Sequence, residues 1–507
     1  MAAPLTGSAL PVSIGEGYAI RAPGVRGVAD LQRPRSGDER ARSRAPRDGT
    51  PALEDALRQT NVRETREVEL ILEPRREAGL PSSARGTAGA QNIELQVPDL
   101  GPEVGQLVLA CDEAGVLTWH LPVDQQQRVE PPASRGAGGV KRFVIPAIHP
   151  APPPPGAALQ RGLIGMAGRK LLKVLVYPVV DPVIGRISET FAERWEERHR
   201  PYGLRTFTPD TFRQPRTDPL SAVDWDALQE GRSLLFIHGT FSTAHGAFNL
   251  IADGPFTALF DRYRGRVFAY DHFTLSHDPR RNVEWFLQQL PAGPPLEVDI
   301  VCHSRGGLVA RTLSEQPSAF GLDTSRLAVR RVVFVGVPNG GTLLAHPDHM
   351  VTMIDRLTTA LNLFPSGAIT ETLEAIITTV KVVGHGALGG LDGLASMRPG
   401  GAFLTRLNQG APVGDGYYAI AADYTPTDEG LRALIAGSLV DGVLDRVFED
   451  VGNDLVVPEP GVYSANGSGA FPIPEARVLR VPANAGVLHT TFFGYEPACA
   501  KISEWLA

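Results

Sequence analysis

Ser304 sits where an apolar run gives way to a helical one. In Leu296-Glu-Val-Asp-Ile-Val-Cys302-His303-Ser304-Arg305-Gly306-Gly307-Leu308-Val309, the stretch from Val298 to Cys302 reads as a fully buried strand. After it, Leu308, Val309 and Leu313 recur at helical spacing. A serine on such a sharp strand-to-helix turn is pushed out at the carboxyl edge of a sheet, where ligands collect. Gly306 and Gly307 suit a turn in which strand and helix backbones pass close together. The helix behind the serine offers free N–H groups and positive potential where an oxyanion would form. The chemistry this arrangement suits is nucleophilic attack by a hydroxyl. Cys302 belongs to the buried strand and is poorly placed to be the nucleophile.

The run resembles the nucleophile elbow of the α/β-hydrolases, G-x-S-x-G, with Cys302 where the first Gly is usual. The strand Ser233-Leu-Leu-Phe-Ile and the turn His238-Gly239-Thr240-Phe241 resemble the H-G turn that lies beside the elbow in that family. By that resemblance the backbone N–H groups of Thr240 and Arg305 are the oxyanion donors, with Phe241 the alternative to Thr240. His238 is expected to orient the loop, and His245 to lie at the surface.

In the same family an acid and then a base follow the serine. Asn453-Asp454-Leu455-Val-Val-Pro458 resembles the N-D-G-[LV]-V-[PS] segment of lipase-type hydrolases, with Leu455 in place of Gly. This implies Asp454 as the acid; Asp423, Asp441 and Asp450 are its competitors. The strand Ala476-Arg-Val-Leu-Arg-Val-Pro482 precedes His489, the only histidine beyond His385, which is the expected base. Asp454 would hold the imidazole tautomer, and His489 would take the Ser304 proton.

Further segments resemble lipases and lecithin:cholesterol acyltransferase-like enzymes. Val332-Val-Phe-Val-Gly336-Val-Pro338-Asn-Gly-Gly341-Thr342 is similar to G-T-P-x-x-G-[ST], and Ser396-Met-Arg-Pro399-Gly400-Gly-Ala-Phe403 to L-x-P-G-S-x-F. Phe241, His303 and Asp271, the last in Ala269-Tyr-Asp271-His272, are expected at the substrate pocket. The resemblance covers about 230 to 507. It implies a serine hydrolase of carboxylic esters, with acyl lipids among the candidate substrates, acting through an acyl-enzyme. An acyltransferase or amidase would use the same residues. A hydrolase-like fold serving only recognition is the rival from another class.

The elements that must position these residues follow from pattern. From 216 onward strand, turn and helix alternate, which predicts a parallel sheet flanked by helices, an α/β-hydrolase domain over 216–507. A helical cap is expected at about 343–398. There Met350, Met353, Ile354, Leu357 and Leu361 form one apolar stripe, and Ile369, Leu373, Ile376, Ile377 and Val380 a second. Either the cap lines an acyl groove or it packs wholly on the core.

Upstream, residues 1–60 are rich in Arg, Pro, Gly and Ser and read as a flexible arm. Short β-branched runs over 61–148 predict a small all-β sandwich or barrel, including a hairpin at Cys111-Asp-Glu-Ala-Gly-Val-Leu-Thr-Trp119. A protein partner is one candidate role for it. His149-Pro-Ala-Pro-Pro-Pro-Pro-Gly156 reads as a stiff linker, and the rest of 149–215 as a helical connector with Ile187, Phe191 and Trp195 on one face.

The net charge of −7 gives no reason to expect nucleic acid as a partner. Three widely spaced cysteines make no disulfide framework and fit a reducing compartment. With no signal-peptide pattern and no spanning run, the expectation is a cytoplasmic protein without a transmembrane segment. No metal motif and no cofactor motif is found. Thr490-Thr491-Phe492 stands where calcium-dependent lipases carry an Asp, so no calcium of that kind is expected.

Overall fold

A computed structural model describes residues 2–35, 49–73, 92–113, 115–123, 139–147, 168–215, 218–315, 320–409, 416–424, 453–465 and 471–507. Two β-sheets occupy the N-terminal part. One runs β1 (Ala3–Thr6), β4 (Arg26–Gln32), β5 (Arg63–Leu72), β10 (Gly168–Pro178), β7 (Val104–Asp112) and β8 (Leu117–His120), in that order and antiparallel throughout. The other is β2 (Val12–Gly15), β3 (Tyr18–Arg21), β6 (Asn92–Pro98) and β9 (Val140–Pro146). Ile93, Leu95, Phe143 and Ile145 of the smaller sheet share a core with Val68, Leu70, Val108, Leu172 and Val174 of the larger.

The larger sheet is buried on its second face too. In β7, Val108 and Ala110 point into the sandwich, while Leu107, Leu109 and Cys111 join the core of the C-terminal half. In β10, Leu172 and Val174 point into the sandwich; Leu171, Leu175 and Tyr177 face the other way. Strands covered on both faces are near-continuous apolar runs. That is why Leu171–Val176 does not alternate, and why it resembles a helix from sequence.

The boundaries therefore differ from the sequence expectation. Four strands and the helix Pro51–Gln59, capped by Thr50, occupy much of the region read as an arm. Residues 36–48 of that region, and the Pro-rich segment 149–156, lie outside the described residues. Gly168–Pro178 is a central strand, not part of a helical connector. The connector does contain a helix, Phe191–His199, which buries Phe191 and Trp195 as the spacing predicts. The hairpin is present: Cys111 pairs with Leu117, and Gly115 takes a φ of 84° in the turn.

A two-stranded ribbon, β11 (Val180–Asp181) and β12 (Gly185–Arg186), follows β10. The C-terminal half is built on a sheet ordered β13 (Gly203–Thr206), β15 (Val267–Asp271), β14 (Ser233–Ile237), β16 (Leu296–His303), β17 (Leu327–Val335), β18 (Tyr417–Ala422), β19 (Val478–Val481). Only β13 is antiparallel to its neighbour. The sheet begins at 203, earlier than the expected 216. Alternate residues go to opposite faces: Leu235, Ile237, Ile300 and Cys302 to one core, Leu234, Phe236 and Val301 to the other. This is an α/β-hydrolase sheet. The chain runs from β14 outward to β15, then returns to the far side of β14 as β16. The order reverses there, and the crevice between the carboxyl ends of β14 and β16 is where such sheets bind ligands.

Cap helices Met350–Leu363 and Ile369–Gly384 follow β17. The second packs on the N-terminal half, where its Lys381 Nζ donates to Thr60 O at 2.9 Å. Among the described residues no helix is long and apolar enough to cross a membrane.

Candidate functional site

Ser304 lies directly after β16, with a φ of 52°. A non-glycine residue in the left-handed region costs energy that the surroundings must offset. Here the surroundings are tight contacts around three glycines. A Cβ on Gly306 would lie 2.4 Å from His238 O, one on Gly307 2.3 Å from Val337 Cγ1, and one on Gly239 2.5 Å from Ser304 Cβ. The elbow therefore admits only small neighbours, and Cys302 fits because it points into the buried core. Burial pushes its thiol pKa up, away from thiolate chemistry.

His489 arrives from the loop after β19. Its Nε2 stands 2.9 Å from Ser304 Oγ and its Nδ1 2.7 Å from Asp454 Oδ2. The second Asp454 oxygen accepts from the N–H groups of Val456 and Val457, at 3.0 and 2.8 Å. A carboxylate only accepts, so the imidazole proton is assigned to Nδ1 and the Nε2 lone pair to the serine hydroxyl. His489 N also donates to Asp454 O at 3.0 Å, which joins the two loops through the main chain.

Of the competing acids, Asp423 follows β18 without reaching His489, and Asp441 and Asp450 lie outside the described residues. Leu455, where the resembled segment has Gly, takes a φ of 82°, in the left-handed region that glycine adopts without strain. Gly336, with φ 58°, backs the pair: a Cβ there would lie 3.2 Å from Asp454 Oδ2 and 3.4 Å from His489 Nδ1.

Thr240 lines the same cleft as Ser304. Neither its N–H nor that of Arg305 forms a hydrogen bond among the described residues. The side chain of Arg305 has a second role that no local sequence pattern marks. It is wholly buried, and it donates to Gly393 O at 2.8 Å, Asn282 Oδ1 at 3.0 Å and His277 O. Burial lowers its pKa to about 10. The nearby carboxylate of Glu196 accepts from the N–H groups of Leu275 and Ser276, both at 2.9 Å, and so fixes the loop that receives Arg305. No local pattern marks Glu196, because its partners are almost eighty residues away.

His238 does orient its loop. Its Nδ1 is 3.0 Å from Gly239 O and its Nε2 accepts from His272 N at 3.2 Å, while burial holds its pKa near 4 and keeps it neutral. His303 lines the cleft, with Nε2 donating to His489 O at 2.8 Å; burial and the neighbouring His489 lower its pKa to about 3.

Two expectations are corrected. Asp271 does not line the cleft: its carboxylate accepts from Ala244 N at 2.7 Å and meets Arg205 at 3.2 Å, so it holds the loop from behind. His245 is buried rather than at the surface, with Nε2 3.3 Å from Glu371 Oε2 of the second cap helix.

The other motifs acquire reasons. Thr342 Oγ1 donates to Val456 O at 2.6 Å and Thr342 N to Met397 O at 2.9 Å, tying the turn after β17 to the acid loop and to Met397. A Cβ on Gly341 would sit 2.9 Å from that same carbonyl. A cleft open to solvent lies above Ser304. Phe241, Met353, Leu357, Leu361, Met397 and Val456 form its apolar wall. Of the two cap stripes, only the first contributes to it. The second, with Leu373, Ile376, Ile377 and Val380, is buried in the core shared with the N-terminal half. Among the described residues no cluster of His, Cys, Asp or Glu has the makings of a metal site.

No curated protein matches the chain. Among solved structures, lipase 1 from Pelosinus fermentans is 12% identical with a TM-score of 0.35, covering 54% of this chain and 98% of that one. A structure from a study of carboxylesterases of the ammonia-oxidizing thaumarchaeon Nitrososphaera gargenis is 13% identical, with a TM-score of 0.30 over 55% of this chain and 90% of that one. The enol-lactonase of Burkholderia xenovorans is 11% identical, at 0.27 over 55% and 93%. A family model described as a domain of unknown function, DUF7379, matches residues 199–507, which hold the whole seven-stranded sheet and every residue of the Ser304 site. The chain belongs to the DUF7379 family.

Proposed function

We propose that the protein is a serine hydrolase that cleaves carboxylic esters through an acyl-enzyme. The observation that carries this reading is the unbroken hydrogen-bonded chain from Ser304 Oγ through His489 to Asp454 at the floor of an open cleft. Ser304 Oγ attacks the ester carbonyl carbon while His489 Nε2 takes its proton. The carbonyl oxygen becomes an oxyanion, held by the N–H groups of Thr240 and Arg305. Asp454 stabilises the imidazolium, which then protonates the departing alcohol. Water, deprotonated by His489, attacks the acyl-enzyme; its collapse releases the acid and restores Ser304.

Phe241 and His303 flank the acyl group in this reading. The apolar wall of Met353, Leu357 and Leu361 supports an acyl chain of several carbons over acetate. The test is labelling with a fluorophosphonate probe. Wild type is expected to label and Ser304→Ala not to; a wild-type protein that resists the probe and leaves p-nitrophenyl esters intact would remove the reading.

A further inference from the structure

The first cap helix, Met350–Leu363, has two occupied faces. Met353, Leu357 and Leu361, four apart, line the cleft over Ser304. At 100° per residue, Asp355, Thr359 and Asn362 fall on the opposite side, with Thr358 on the flank. That side is hydrogen-bonded to the edge of the N-terminal sheet. Leu117 N donates to Thr359 Oγ1 and Thr359 Oγ1 to Leu117 O, both at 3.0 Å. Trp119 N donates to Asp355 Oδ1 at 2.7 Å, Trp119 Nε1 to Thr358 Oγ1 at 3.1 Å, and Asn362 Nδ2 to Gly115 O at 3.3 Å.

These bonds use what an edge strand leaves over. β8 pairs with β7 on one side only, so Leu117 and Trp119, two apart, have main-chain groups turned away from the sheet. Helix side chains satisfy them in place of another strand. Trp119 is buried and ties the contact into the shared core. The helix also reaches the acid loop, where Arg356 Nη1 donates to Leu455 O at 3.3 Å.

We propose that strand β8, through Leu117 and Trp119, is a positioning element for the substrate cleft: it fixes the register and tilt of the helix whose far side forms the acyl wall. The inference rests on the proposed function for its effect on substrates, but not for its mechanical part. Asp355, Thr358 and Thr359 are positioning residues, since none of them reaches Ser304. A strand of the N-terminal half thereby sets acyl-chain selectivity.

The experiment compares the full-length wild type with Thr359→Val, which keeps shape and removes the hydroxyl, and with Thr359→Ser, which restores it. Hydrogen–deuterium exchange is read over 350–363, and kinetics on p-nitrophenyl acetate and octanoate. In Thr359→Val, exchange in 350–363 is expected to rise selectively and KM for octanoate to rise about tenfold, with kcat/KM for acetate within about twofold of wild type. Thr359→Ser should return both to wild-type values. Unchanged exchange overturns the proposal whatever the kinetics. Raised exchange with equal losses on both esters also overturns it, because the contact would then be merely structural. Should wild type hydrolyse neither ester, the functional reading fails, and exchange alone decides whether β8 positions the helix.

Discussion

Gly239 and Ser304 stand in contact: a Cβ built on Gly239 would lie 2.5 Å from Ser304 Cβ and 3.1 Å from its Oγ. The loop after β14 and the elbow after β16 are thus locked together by the absence of one methyl group. In Gly239→Ala either the loop or the serine must shift, and a misplacement of about 1 Å costs on the order of 10² in rate. Fluorophosphonate labelling should slow by at least that factor. Labelling at the wild-type rate would show that the contact is slack.

Asp454→Asn keeps the oxygen that accepts from Val456 and Val457 but removes the charge facing His489. The fold should persist, with a melting temperature close to wild type. kcat should fall by about 10⁴, because the imidazole loses its tautomer and the imidazolium its partner. A loss under tenfold would point to a different acid.

Leu455 sets two effects against each other. Its φ of 82° costs about 1–2 kcal/mol in a residue with a Cβ, which glycine would relieve. Its side chain is 4% exposed and packs with Val116, Ala360, Tyr424 and Leu488. Deleting a buried leucine side chain costs roughly 2–5 kcal/mol. Burial outweighs strain, so Leu455→Gly should lower stability in urea by about 1–3 kcal/mol. A more stable variant would reverse that ranking.

Lys381 makes stability depend on alkaline pH. Burial lowers its ammonium to about 8 from the ordinary 10.5. Between those values the unfolded chain binds more protons than the folded one, so the lysine's contribution to stability rises with pH across that window. Lys381→Met lacks the group. The stability of wild type relative to Lys381→Met should therefore grow by up to about 3 kcal/mol between pH 7.5 and 10.5. Urea melts of both proteins at each pH measure it. A constant or shrinking difference would contradict the assignment.

The proposed acyl wall predicts selectivity. Leu357→Trp adds bulk to the wall of the cleft and should shift preference from octanoate toward acetate esters. A profile identical to wild type would place the acyl chain elsewhere.

The site was legible where its chemistry is local. A buried run ending at Cys302-His303-Ser304-Arg305-Gly306 carries its own turn, and Asp454 and His489 follow in an order tied to the sheet. The residues that sequence misplaced act through distant partners. His245 meets Glu371, and Asp271 meets Arg205 and Ala244, all non-local. Strands β1 to β4 escape the sequence pattern because short strands with only one or two buried positions, such as Ala3–Thr6 and Val12–Gly15, carry too little alternation to stand out among Arg, Pro and Gly. In β10, burial on both faces erases the period of two, so the run carries no strand signature.

The family segment starts at 199, but Glu196 lies just before that boundary and its carboxylate serves the loop that seats Arg305. A fragment cut there would lose that acceptor, along with Trp119 and the sheet face bearing Leu107, Leu171 and Tyr177. The C-terminal half is consequently not a separable module. Its inner lining is supplied by a portion of the chain that the family definition leaves out, and recombinant work on this protein should retain both halves.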